Sequence, residues 1–331
     1  MPLALVTGAT GLVGANLALA LVERGWRVRA LRRTTSPTAA LEDIPHETAI
    51  GDVLDPDSLR AAMQGCDVVF HVAGVSDHWR AGKDLMYRVN VEGVRLVAEA
   101  AVAARVARIV LTSSVAALGI PPHGRLLTEE DSFDVPPERF PYGHSKFLGE
   151  EELRKVIREK GLDGVIVNPS AVLGPRDVHL GSASLILEMK RLSLPFLPDG
   201  GMNLVDAYDT ALGHIAAAER GRTGERYIIG GHNISHIALS RIIGAALGKK
   251  IPRRLAPTWL LLAFAHVVDV IKPALPPSVP LTGEIMRHAT ETFYVSTAKA
   301  DREFGLPHTP VEETVRRTVA WLREKGYLQG N

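Results

Sequence analysis

The sequence is poor in the features that mark secreted, metal-binding or membrane-spanning chains. Among 331 residues there is one cysteine, Cys66, so no internal disulfide can form. No CxxC or Cys/His cluster offers zinc ligands. A reducing, cytoplasmic setting is expected. Neither sign of charge dominates: 38 Lys and Arg stand against 37 Asp and Glu, which leaves no global field to attract nucleic acid or an anionic membrane. Any basic site must be local. No positively charged leader precedes the glycine motif at Gly8, so no export signal is read. Long apolar runs are missing too. The most apolar stretch, Trp259 to Ile271, contains His266 and Asp269 and falls short of the roughly 20 residues needed to cross a bilayer. It reads as a helix, facing a core in preference to a partner or a membrane surface. There is no internal repeat and no low-complexity tail.

What is present is an alternation of short β-branched runs and longer helical patterns, the signature of βαβ units and a parallel sheet. Strands are predicted at Leu3 to Thr7, Arg27 to Leu31, Glu47 to Asp52, Val68 to Val72, Ile109 to Thr112 and Gly164 to Asn168. Val13, Leu17 and Leu21 recur every four residues, the stripe of a helix packed on that sheet. Lys83 to Arg105 and Tyr142 to Lys160 also read as helices. After Pro169 frequent prolines break the pattern. The expected fold is α/β: a doubly wound parallel Rossmann sheet in residues 1–170, then a smaller mixed substrate lobe in 171–331. Segments at about 203–229 are expected to return to the large sheet.

The loop Val6-Thr7-Gly8-Ala9-Thr10-Gly11-Leu12-Val13-Gly14 lies between a predicted strand and a predicted helix. Gly8 suits the tight turn, Gly11 a close approach to a pyrophosphate, and Gly14 close packing of helix on strand; the helix N-terminus then faces phosphate charge. Gly8, Thr10, Gly11, Leu12, Val13 and Gly14 are therefore candidate dinucleotide-binding residues. At the end of the second strand an acid would bind a ribose 2'-hydroxyl, whereas arginine suits a 2'-phosphate. Here Arg32 and Arg33 follow Leu31, and no acid is present. NADP(H) is the expected cofactor, with NAD(H) the alternative. Two solvated surface arginines are the plainer reading of the pair.

Tyr142 and Lys146 form a YxxxK pair that a helix turns to one side. A phenol is a poor acid or base at neutral pH, and a nearby ammonium favours its ionised form, which brings proton transfer closer to working conditions. Ser114 follows the strand ending at Thr112, at the edge where parallel sheets bind ligands, and its hydroxyl suits an oxygen gaining negative charge. A strand-end cap is the competing role, more natural for Ser113 than for Ser114. Ser114, Tyr142 and Lys146 are the candidate catalytic set.

With Gly51-Asp52-Val53, His71-Val72-Ala73-Gly74, Asn90-Val91-Glu92-Gly93 and Asn168-Pro169-Ser170, these motifs resemble the extended short-chain dehydrogenase/reductases over essentially the whole chain. Within them the chain is most similar to the dihydroflavonol 4-reductase-like group and to bacterial hopanoid-associated sugar epimerase homologues. The resemblance implies that Asp52 and Val53 contact adenine, that Ala73 lies along the cofactor, and that Pro169 and Ser170 border the nicotinamide. It implies for Tyr142 and Lys146 cofactor contacts as well as chemistry. Asn90 would support the active-site backbone or a water relay, with a structural role at a helix start equally open. A homodimer built on two long helices is implied by resemblance alone.

Substrate residues are harder to find. His78, Trp79 and Met202, with Leu180 and Phe196, suggest a moderately apolar substrate carrying a carbonyl or alcohol. No basic cluster suited to a sugar diphosphate stands out between Ala171 and Arg241. Three functions are weighed: a carbonyl reductase, an epimerase or dehydratase that reoxidises its own cofactor, and a nonenzymatic dinucleotide sensor, which would not need the catalytic set.

Overall fold

Strand and helix alternate from the first residues. The computed structural model describes residues 1–76, 81–121, 124–191, 197–249, 255–271, 283, 287 and 290–328. The strands are β1 (Leu3–Thr7), β2 (Arg27–Arg32), β3 (Glu47–Ile50), β4 (Val68–His71), β5 (Arg108–Thr112), β6 (Gly164–Pro169), β7 (Ala171–Leu173), β8 (Gly201–Asp206), β9 (Arg226–Ile229), β10 (His232–Ser235) and β11 (Thr292–Phe293). The first six differ from the predicted bounds by at most two residues at an end. The first six and β9 form one parallel sheet in the order β3-β2-β1-β4-β5-β6-β9. The order reverses between β1 and β4, the switch point at which such sheets bind ligands beyond their carboxyl ends.

Side chains alternate across the sheet with a period of two, and each face is buried under helices. Ala4, Val6, Phe70, Val110 and Val167 pack with the helices Leu12–Glu23 and Ala207–Arg220. Leu5, Val69, Ile109, Leu111 and Ile166 pack with Pro56–Met63, Gly93–Ala103 and Pro141–Lys160. Of the predicted stripe, Leu17 and Leu21 enter the first of these cores. Val13 instead meets Val172, Val205 and Ala207.

A second, smaller sheet joins β7, β8, β10 and β11. Of the three passages of the chain between the sheets, from β6 to β7, from β8 to β9 and from β9 to β10, the first and last have almost no slack. Only Ser170 separates β6 from β7, and only Gly230 and Gly231 separate β9 from β10. A Cβ on Gly231 would stand 2.3 Å from Leu204 O, so the crossing from β9 to β10 is packed against backbone. Of the stretch at 203–229, β8 lies in the small sheet and β9 in the large one.

Two predicted helices differ in form. Lys83 to Arg105 is one helical run, but it passes through a π turn at Arg88–Glu92 before resuming at Gly93–Ala103. Such bulges often lie at functional sites. The apolar helix spans Thr258–Ile271 and faces outward: Ala265 and Val268 are its buried residues, while Trp259 and Val270 are 71% and 68% exposed. The core-facing reading of that segment is corrected. No helix among the described residues is long and apolar enough to cross a membrane.

Candidate active site

Gly8 closes β1 in the left-handed region, at φ 65°, where a side chain is disfavoured. A Cβ there would also lie 2.7 Å from Ala73 N, and one on Gly14 would lie 2.2 Å from Gly8 O. Both glycines are thus required by the protein's own packing. Gly11 differs, because a Cβ on it would meet only Gly8 O at 3.5 Å. The protein's own packing therefore does not require a glycine at this position. Gly11 is the N-cap of Leu12–Glu23, with no side-chain cap and no acid in the first turn, so the helix offers its N–H groups and positive dipole end to an anion. Thr10 is buried beside it.

At the end of β2, Arg32 and Arg33 have no carboxylate partner among the described residues. Arg32 Nη1 donates to Arg33 O at 3.3 Å, while its buried Nε has no partner and Arg33 is exposed. This donor set fits a phosphate. Past β3, Asp52 Oδ1 accepts from Leu54 N at 2.9 Å, and Val53 is buried against Gly93.

The helix Pro141–Lys160 begins with proline at its first position and ends at Gly161 in the left-handed region, both standard helix boundaries. Tyr142, half-buried, stands one turn before Lys146, which is 5% exposed. Lys146 Nζ donates to Thr112 O at 2.7 Å, at the carboxyl end of β5. Burial lowers this lysine from 10.5 to about 8, with Glu150 one turn further on pulling the other way. Glu150 is fully buried against Asn168, Arg154 and Arg226.

Beneath Lys146 two histidines are locked neutral. His214 donates from Nδ1 to Thr210 O, leaving Nε2 to accept from the Thr112 hydroxyl, each at 2.8 Å. Burial holds it down at about 4. Thr7 Oγ1 accepts from Val72 N and Ala73 N at 3.1 Å and so gives its hydrogen to His71 Nδ1 at 2.8 Å. Burial and the nearby Lys146 charge hold His71 at about 3.

Asn90 sits in the π turn. It accepts from Val75 N at 2.8 Å, donates to Val75 O at 2.9 Å and donates to Ser145 Oγ at 3.0 Å. Ser145 Oγ in turn donates to Tyr142 O at 2.8 Å. The loop at 72–75 and the helix of Tyr142 are therefore tied through one amide, and a Cβ on Gly74 would lie 3.6 Å from Lys146 Nζ. Motif spacing gave no role to Ser145 or to Gly149, where a Cβ would stand 2.3 Å from Asn90 O. A glycine inside an otherwise good helix was the available signal.

Ser114, not Ser113, makes the cap: its Oγ accepts from Ala116 N at 3.2 Å at the start of a short 3-10 turn. Its own hydrogen remains to be donated. Ser113 Oγ is buried with no partner among the described residues. Pro169 ends β6, and Ser170 Oγ donates to Asn203 Oδ1 at 2.7 Å. Met202 is half-buried on β8 in the core of the second lobe. His78, Trp79 and Phe196 lie outside the described residues. Among the described residues no group of acidic, His or Cys side chains could hold a metal.

Residues 4–230 match the profile of the NAD dependent epimerase/dehydratase family. A Synechocystis sp. protein provisionally called a dihydroflavonol 4-reductase is 37% identical over 98% of this chain and 95% of its own. Sterol demethylase protein B of Methylococcus capsulatus is 32% identical over 98% and 99%. The crystal structure of gox2253 superimposes with a TM-score of 0.87 at 36% identity, covering 99% of this chain and 100% of that one. The chain belongs to the NAD dependent epimerase/dehydratase family and is an oxidoreductase of the extended short-chain dehydrogenase/reductase type.

Proposed function

We propose that the chain reduces a ketone or aldehyde on a mid-sized, partly apolar molecule, or oxidises the matching alcohol, with NADP(H). The observation that carries this reading is the buried Lys146 ammonium, fixed on Thr112 O one turn from Tyr142 and against the loop at 72–75. Bound nicotinamide supplies the hydride. Tyr142 delivers its phenolic proton to the substrate oxygen, and Ser114, whose lone pair is already engaged by Ala116 N, donates its hydrogen to the same oxygen. Lys146 holds the nicotinamide ribose and keeps positive charge beside the phenol. Arg32 and Arg33 would take the 2'-phosphate.

The apolar substrate class is supported by the names of the relatives, a dihydroflavonol reductase and a sterol demethylase protein. Three arginines of the second half also support it. Arg176 is paired with Asp43, Arg222 with Glu303 and Arg226 with Glu150, which commits them to the fold and away from a sugar diphosphate.

Purified protein should consume NADPH one-for-one with alcohol formed from simple apolar ketones or aldehydes. Tyr142→Phe keeps the ring and removes the proton, so turnover should fall by roughly 100- to 10,000-fold with cofactor binding nearly unchanged. Redox-neutral interconversion of a nucleotide sugar, with no carbonyl reduction, would transfer the assignment to an epimerase. Near-normal turnover of the Phe variant would remove Tyr142 from the mechanism.

A further inference from the structure

Seven of the thirteen exposed large hydrophobic side chains among the described residues belong to one helix, Thr258–Ile271. At about 100° per residue, Trp259, Leu260, Phe264, Val267, Val270 and Ile271 fall within one arc of roughly 140°; the buried Ala265 and Val268 lie off that arc, as does the exposed Leu262. The polar residues stay off that arc: His266 and Asp269 lie along one flank. Asp269 accepts from Gly283 N at 3.0 Å and from Arg287 Nη1 at 2.8 Å, which neutralises the helix's one acid. A continuous exposed apolar stripe of this size marks an interaction surface.

The sequence around the helix identifies what covers it. From residue 249 to 283 there are five cations, Lys249, Lys250, Arg253, Arg254 and Lys272, and one acid, Asp269. The rest of the chain carries 33 cations and 36 acids. The helix that holds most of the exposed large hydrophobic side chains among the described residues therefore also lies in the sequence stretch where positive charge is in excess. An anionic lipid surface accepts both an apolar helix face and a cation-rich sequence around it. Fourteen residues make a helix about 21 Å long, too short for a hydrocarbon core of about 30 Å, so it would lie in the interface plane.

We propose that the exposed face of Thr258–Ile271, set in a cation-rich stretch of sequence, docks the enzyme peripherally on an anionic lipid bilayer. This rests on the helix and not on the reading of the active site. The test is co-sedimentation of the full-length protein with vesicles of phosphatidylcholine containing one quarter phosphatidylglycerol, beside vesicles of phosphatidylcholine alone. The wild type should pellet with the anionic vesicles and release as NaCl rises from about 0.05 to about 0.5 M. Phe264→Glu with Val267→Glu, both exposed, should keep the melting temperature and lose on the order of tenfold in partitioning. No binding of the wild type to anionic vesicles would overturn the proposal, as would equal binding of the double variant. A wild-type dimer that the double variant dissociates, with no vesicle binding by either protein, would assign the face to a second copy instead.

Discussion

Lys146 combines burial with function in a way that can be read from pH. Its proton is held less tightly than in the unfolded chain, with the ordinary value of 10.5 lowered to about 8. The charged form is lost as pH rises through about 8, and kcat/KM for carbonyl reduction should fall along an alkaline limb centred there. Between about 8 and 10.5 the unfolded chain binds the extra proton, so stability rises with pH over that window. A falling rate accompanied by a steady or rising melting temperature is the expected pair of measurements. Lys146→Arg, always charged, should abolish this limb even if turnover drops. Arg32 and Arg33 are tested by affinity. Changing both to Ala should weaken NADP by roughly 10- to 100-fold and NAD by less than about threefold, because only NADP carries the phosphate that two charge-assisted bonds would hold. Tighter wild-type binding of NAD would return these arginines to a solvated surface role.

Glycines divide between elements that pack on one another and a loop end left open. Gly149→Ala would force a Cβ to 2.3 Å from Asn90 O, between two helices that carry the loop at 72–75 and Tyr142. Overpacking of this kind costs about 1–3 kcal/mol. Gly11→Ala has room within the protein, so melting without cofactor should be unchanged while dinucleotide affinity falls. Calorimetry and a binding titration on the two variants separate the roles; a destabilised Gly11→Ala would place its constraint in the fold. These elements also show why the sequence was readable where it was. β1 to β6 are local runs of β-branched residues, and the glycine loop and YxxxK pair are fixed spacings along one segment. The Asn90 to Ser145 bond spans 55 residues and leaves no spacing to read. The outward turn of Thr258–Ile271 is hidden from the sequence because composition reports how apolar a helix is and not what stands beside it.

The two sheets set what the molecule as a whole can do. The parallel sheet was legible because alternation of strand and helix specifies its class. The second lobe was legible only as a change of pattern, since its sheet is assembled from β7, β8, β10 and β11, of two to six residues each and far apart in the chain. Ser170 bonds across this boundary to Asn203, whose Nδ2 donates to Asn233 Oδ1 at 2.9 Å. The crossings at Ser170 and at Gly230 and Gly231 have a mechanical consequence. A clamshell enzyme needs a few residues that absorb rotation along a common axle. Here the sheets are tied by links of one and two residues and again through the helix Ala207–Arg220 between β8 and β9, so little backbone is left to absorb rotation of one sheet against the other. The gap between the sheets is therefore expected to keep one width with and without cofactor, a constancy that small-angle scattering of the two states would check.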